Sequence, residues 1–242
     1  MSVILVPFDT ETTGTDVEND RIVQAFLGLM GPDGHWQKAQ TWLINPGVPV
    51  PEGAARVHGL STEHLQQHGN PDVRSVLEQI RSIIVAEVYD RPDVALVIYN
   101  AQFDTTILNA ELRRHGLEEI DYSRVNVIDP LVLDKRIYKF RRGSGARKLT
   151  AVAPIYGVPV EENAHDASAD CLMAGRVALQ QLRHEYLQGQ TITRLQHYQR
   201  VWKAEQSADL EKWFRTKAPA DRRDPNLVIP RDWPIIPAAA AA

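Results

Sequence analysis

The run Val3-Ile4-Leu5-Val6-Pro7-Phe8, leading into Asp9-Thr10-Glu11-Thr12-Thr13-Gly14, places the tightest limit on what this chain can fold into. An unbroken apolar run rich in β-branched and aromatic residues marks a strand covered on both faces. Pro7 is its irregularity, because it has no N–H for a ladder. If the extended backbone continues through Glu11, Asp9 and Glu11 point to one face, since strand side chains alternate with period two. Two such carboxylates repel each other and lose hydration, and a hard divalent cation relieves both through oxygen ligation. The same residues equally suit a solvated acidic strand end, and this run alone does not choose.

Further along, residues 21–30 and 35–44 predict two more strands, joined by the turn Gly31-Pro32-Asp33-Gly34 into an antiparallel meander. A Pro/Gly-rich loop over 45–54 leads to Val57-His58-Gly59-Leu60, after which Ser61 or Thr62 caps a short helix. Val76, Leu77, Ile80, Ile83, Ile84 and Val88 recur at helical spacing and predict an amphipathic helix over 72–89. The run VALVIY at 94–99 predicts a second central strand. Helices over 103–115 and 131–138 flank a short strand at 125–128, and helices over 149–156 and 166–187 follow. This order makes an α/β fold, a mixed sheet flanked by helices.

Residues 139–148 (KFRRGSGARK) read as a basic, flexible loop. Beyond Thr191 the spacing predicts a long amphipathic helix, whole or broken, and then a Pro-rich segment anchored by Trp233. The expected organisation is one domain over 1–190, a C-terminal helical extension with its tail over 191–237, and an expression scar or frayed tail at 238–242.

Composition narrows the setting. With 242 residues, 43% hydrophobic and 24% charged, the chain has room for a sizeable globular domain and an appendage. It shows no apolar stretch long enough to span a bilayer and no signal peptide. A lone cysteine, Cys171, excludes an internal disulfide framework and reads as inert core, so a cytoplasmic protein is expected. The net charge of −4 provides no global attraction to nucleic acid, so any such binding must use a local basic patch.

Three further positions join the opening pair. Asp104 follows VALVIY at a helix start, where a plain N-cap is the ordinary role. His165 and Asp170 lie in His165-Asp166-Ala167-Ser168-Ala169-Asp170, where His165 alone reads as a loop residue and Asp166 as a cap. Ala167 and Ala169 let that helix approach the sheet closely. Together FDTETTG, YNAQFD and HDASAD resemble, in order, the three motifs of the histidine-containing (DEDDh) branch of the DEDD exonuclease superfamily. That branch includes the epsilon proofreading subunit of bacterial DNA polymerase III. The likeness covers roughly the first three quarters of the chain and includes KLTAVAPIYGVPV ahead of the third motif. It departs at Tyr99, where relatives often carry histidine.

The resemblance implies a ribonuclease H-like mixed five-stranded sheet and a metal-dependent 3′–5′ exonuclease releasing nucleoside 5′-monophosphates. It implies two divalent cations, Mg²⁺ or Mn²⁺, with Asp9 bridging both, Glu11 and Asp170 on the nucleophile's side, and Asp104 supporting the other through water. His165 would deprotonate the attacking water. The backbone of Thr12 and Thr13, with His58 and Leu60 of a segment similar to the family's HGI, is expected to hold the terminal nucleotide. Asn100 and Phe103 are expected at its sugar–phosphate and base. On the residues alone, His58 equally stands beside a tight turn at Gly59, and Phe103 equally suits the core. Arg141, Arg142 and Arg147 are expected to guide the phosphate backbone, although a basic loop also reads as merely solvated. The expected partners are nucleic-acid 3′ ends, DNA over RNA, single-stranded or frayed. Association with a DNA polymerase is an open alternative, but no clamp-binding or polymerase-binding peptide is visible, so a stand-alone enzyme is favoured. A 3′–5′ exoribonuclease is one alternative. A nucleic-acid-binding polymerase partner with little or no hydrolysis is another, and the intact set of five positions argues against it.

Overall fold

The computed structural model describes residues 3–161 and 166–237. β1 (Ile4–Thr12) pairs antiparallel with β2 (Ile22–Met30), and β2 pairs antiparallel with β3 (Trp36–Leu43). On its other side β1 runs parallel to β4 (Val94–Val97), which runs parallel to β5 (Val127–Ile128). The result is one mixed five-stranded sheet in the order β3-β2-β1-β4-β5.

β1 lies central because it is apolar on both sides. Val6 and Phe8 enter one hydrophobic cluster and Leu5 the other, while β4 divides Val94 and Leu96 from Ala95 and Val97 in the same way. Pro7 is tolerated without a change of register: Leu5 pairs with Met30, and the ladder resumes at Phe8 opposite Leu27.

The first cluster is covered by α3 (Val73–Val88) and α4 (Ala101–Arg114). The second is covered by α5 (Pro130–Ile137), α6 (Leu149–Val152), α7 (Ala167–Arg183) and α8 (Ile192–Thr216). Short polar side chains begin most of these helices: Asp72, Asp129, Asp166 and Thr191 each accept an N–H of the first turn. Asp166 is thus the cap it resembled in sequence.

Several expected boundaries change. Part of the anticipated 45–54 loop opens α1 (Glu52–His58), which ends at Gly59 in a left-handed conformation (φ 79°). α2 (Thr62–His68) follows with Ser61 as its cap, and His64 and His68 are exposed. The helix expected over 149–156 divides into α6 and a 3₁₀ turn, Ala153–Tyr156, because Pro154 has no N–H to extend the α ladder. The helix expected to reach residue 187 ends at Arg183, where His184 turns extended. α8 is unbroken over 25 residues.

The segment after residue 190 shares both clusters. Ile192, Leu195 and Trp202 of α8 pack in one, and Trp233 lies in the other with Val6 and Phe8. α8 also closes the free edge of β5: Gln199 accepts from the Asp129 N–H (2.8 Å) and donates to the Val127 carbonyl (2.9 Å). The chain then crosses α4, where Gln102 donates to the Asp232 carbonyl (2.6 Å) and Thr105 to that of Pro234 (2.5 Å). Residues 238–242 lie outside the described residues. Among the described residues no helix is long and apolar enough to cross a membrane.

Candidate active site

Strand alternation builds the site. Leu5 of β1 packs on the α7 side, so Asp9 and Glu11, an even number of residues further on, face α7 as well. There they meet Asp170 in the first turn of α7, with one carboxylate oxygen from each residue lying within 4.8 Å of the others. Gly175 permits this approach, because a Cβ there would come within 2.8 Å of the Pro7 ring and 2.7 Å of the Met30 side chain.

Thr10 points to the opposite layer and meets α4. Its hydroxyl (2.7 Å) and its N–H (3.1 Å) both donate to Oδ1 of Asp104. Asp104 is therefore no N-cap: Asn100 takes that position in a left-handed conformation (φ 68°), and Asp104 is buried within the first turn. The start of α4 is set by Asp129, whose carboxylate accepts the N–H groups of Asn100 (3.0 Å) and Ala101 (3.0 Å) as well as that of Leu131 (2.9 Å). Asp129 thereby ties the ends of β4 and β5 together beneath Asp104. Thr10 and Asp129 are the two positioning residues the sequence reading missed. Alternation within β1 signals the first, and an Asp-Pro pair after a short apolar strand signals the second.

The carboxylates strain one another. Burial raises Asp9 well above the usual range, and Asp104, Glu11 and Asp170 add repulsion. Burial, then Asp170 and Asp104, push Glu11 up to about 8. Burial pushes Asp104 up to about 7, against the two hydrogen bonds from Thr10 that favour its charged form. A converging all-oxygen set with this much repulsion fits a hard divalent cation such as Mg²⁺ or Mn²⁺, whose charge removes the cost of ionising it. His165 lies outside the described residues.

The expected substrate contacts are placed variously. The Thr12 hydroxyl donates to the Gly14 carbonyl (2.6 Å) and that of Thr13 to Asp20 Oδ1 (2.7 Å). The Thr13 N–H is committed to the Arg21 carbonyl (2.9 Å), which leaves no backbone donor for a ligand at that residue. His58 lies against the Thr12 backbone, its Nδ1 accepting from the Leu60 N–H (3.1 Å), and burial lowers its pKa. The HGL segment therefore does reach the end of β1. Asn100 is exposed beside the site, while Phe103 is half-buried against the core. Arg141 and Arg147 both pair with the buried carboxylate of Asp134, and Arg142 alone of the three is exposed.

Comparison with known proteins gives a consistent result. The model of the RNase T family, described as exonuclease, matches residues 6–178. The PolC-type DNA polymerase III of Streptococcus mutans serotype c is 28% identical over 172 residues, 71% of this chain and 11% of the polymerase. That of Streptococcus pyogenes serotype M18 is 30% identical over 145 residues, 60% of this chain and 9% of the polymerase. The chain thus spans a small part of these relatives. A structure of exonuclease I is similar with a TM-score of 0.65 at 18% identity, covering 81% of this chain and 43% of that one. Escherichia coli exonuclease I in complex with a dA16 oligonucleotide gives 0.65 at 18% identity, covering 81% and 42%. At that identity the likeness is one of fold, a ribonuclease H-like mixed sheet flanked by helices.

Proposed function

The chain belongs to the exonuclease family, and on that premise we propose that it is a metal-dependent 3′–5′ exonuclease acting on single-stranded or frayed DNA ends. The observation that carries this reading is the meeting of Asp9, Glu11 and Asp170 within 4.8 Å, inside the matched segment and beside Asp104. DNA is favoured over RNA because the polymerase relatives are DNA polymerases and exonuclease I holds a dA16 strand. A stand-alone enzyme in the cytoplasm goes with this reading, with association with a DNA polymerase as its alternative.

Asp9, Glu11 and Asp170 would hold the divalent cations, with Asp104 on the α4 side. When bound, two such ions neutralise the phosphodiester and acidify the attacking water. Thr10 holds Asp104 in one rotamer, and its two hydrogen bonds offset part of the burial that opposes the charged form. His165, next to the cap of α7, takes the proton of the water. Neutral His58 and half-buried Leu60 at the end of β1 offer the terminal base a contact tolerant of its identity.

The test is digestion of matched 5′-labelled DNA and RNA, single-stranded, duplex and with a mismatched 3′ end, in Mg²⁺ or Mn²⁺. Ladders should shorten from the 3′ end, fastest on single-stranded and mismatched DNA, and stop in chelator. Tight binding without cleavage would sink the nuclease reading, and faster cleavage of RNA would replace the substrate.

A further inference from the structure

Residues 138–148 are shaped by a single carboxylate. Asp134 of α5 is fully buried and pairs with both Arg141 and Arg147. Arg147 also donates to the carbonyls of Asp134 (3.0 Å), Tyr138 (2.6 Å) and Arg141 (3.2 Å). The Tyr99 hydroxyl donates to the Arg147 carbonyl (2.6 Å), joining this segment to the end of β4, next to Asn100 and the start of α4. The segment expected to be flexible is thus pinned from within.

With two arginines turned inward, the segment turns Phe140 outward. Phe140 is 82% exposed beside a shallow hollow of about 340 Å³ lined by Ile137, Tyr138 and Ile155. Lys139 and Arg142, on either side of it in sequence, are exposed and form no ion pair or hydrogen bond among the described residues. An exposed phenylalanine on a pinned backbone loses little entropy on contact, and the free cations beside it set what that contact is. A buried protein interface disfavours lysine, whereas a nucleic-acid strand supplies a flat base for the ring and phosphates for both cations.

We propose that Phe140 is a stacking platform for an unpaired base of a single-stranded nucleic acid, with Lys139 and Arg142 on the flanking phosphates. This rests on the nuclease reading above and specifies its substrate: a duplex keeps its base faces stacked and has none to offer Phe140.

The experiment measures binding of an oligothymidylate of about twenty nucleotides in chelator, where hydrolysis stops, by fluorescence anisotropy across a salt series. Phe140→Ala should raise Kd about 5- to 150-fold for single strands, the range for losing one base–aromatic stack. It should leave duplex affinity and the salt slope unchanged, and Phe140→Tyr should restore binding. Arg142→Ala should instead reduce the log–log salt slope by about 0.7, the value for one phosphate on a single strand. In Mn²⁺, hydrolysis of a p-nitrophenyl ester of a nucleoside 5′-monophosphate, which has no second base to stack on Phe140, should be the same in Phe140→Ala and wild type. Unchanged single-strand affinity, or an equal loss on duplex, overturns the platform. So does loss of self-association in the ultracentrifuge with oligonucleotide affinity intact, which would make the patch a protein interface. If wild type binds strands through Phe140 yet hydrolyses neither ester nor DNA, the nuclease reading fails and the platform stands.

Discussion

Thr10 gives Asp104 two donors, and only the hydroxyl can be removed without altering the strand. Thr10→Val keeps the shape, so it should fold normally while lowering kcat by about 10- to 100-fold, the equivalent of one hydrogen bond to a charged group. Steady-state kinetics beside a thermal melt check this, and an unchanged kcat would show that the rotamer of Asp104 is held by other means. His165→Ala should cost on the order of 10²–10⁴-fold in single-turnover rate and leave Mn²⁺ affinity intact in a calorimetric titration. Asp170→Ala should lower both, and equal loss of metal in the two variants would make His165 a ligand. The third residue-scale prediction concerns pH. Glu11 is raised from its ordinary 4.5 to about 8, so the native state holds this proton more tightly than the unfolded chain. The resulting stabilisation is complete below 4.5 and is lost as pH rises to about 8. In chelator the melting temperature should therefore fall across that window, and Mn²⁺ should reverse the fall by binding the ionised carboxylates. Glu11→Gln should flatten the fall in chelator; an equally steep fall in that variant would assign it to other groups. Asp9 and Glu11 stood out in sequence through strand alternation, and Asp104 and Asp170 through the family resemblance, but their partners did not. Thr10 contacts a residue 94 positions away, and no local pattern encodes that distance.

At the scale of elements, α8 does for β5 what another strand would do. Gln199 supplies one acceptor and one donor to the edge, at Asp129 and Val127. Replacing it by leucine strands both backbone groups in a buried place, at about 1–3 kcal/mol for each. Gln199→Leu should move the urea midpoint down with an unchanged slope, and an unmoved midpoint would show that the edge is satisfied without it. The start of α4 should loosen too, because the same N–H belongs to Asp129. The amphipathic pattern of α8 was readable from the spacing of its apolar residues. That Gln196 and Gln199 face inward was not, since glutamine on a helix ordinarily reads as surface.

For the whole molecule, the extension and tail contribute to both faces of the sheet. A chain ending after residue 190 loses Ile192, Leu195 and Trp202 from one cluster and Trp233 from the other, and leaves β5 an open edge. It should lose its cooperative thermal transition or melt far below the full chain, as followed by near-ultraviolet circular dichroism. A native-like transition would show that residues 1–190 fold as a unit and the rest is accessory. Charge is also arranged at this scale: Arg141 and Arg147 serve the buried Asp134, and Arg114 pairs with the buried Glu111. The molecule thus turns part of its basic inventory inward, which leaves Lys139 and Arg142 as the free cations around Phe140.

By itself the sequence determined the strands, most of the helices, the mixed sheet and the pairing of Asp9 with Glu11, while Asp104 and Asp170 stood out only through the family resemblance. It could do so because period-two and period-3.6 patterns are local, and because alternation along β1 already assigns Asp9 and Glu11 to one face. Tertiary structure alone decided which groups meet. The run Lys139-Phe140-Arg141-Arg142 reads in sequence as uniform positive charge, yet a buried carboxylate takes in Arg141 and leaves Phe140 and Arg142 to solvent. The reason is physical: a charge in a low-dielectric interior must be paired, and which cation pairs with it depends on how the chain closes around it.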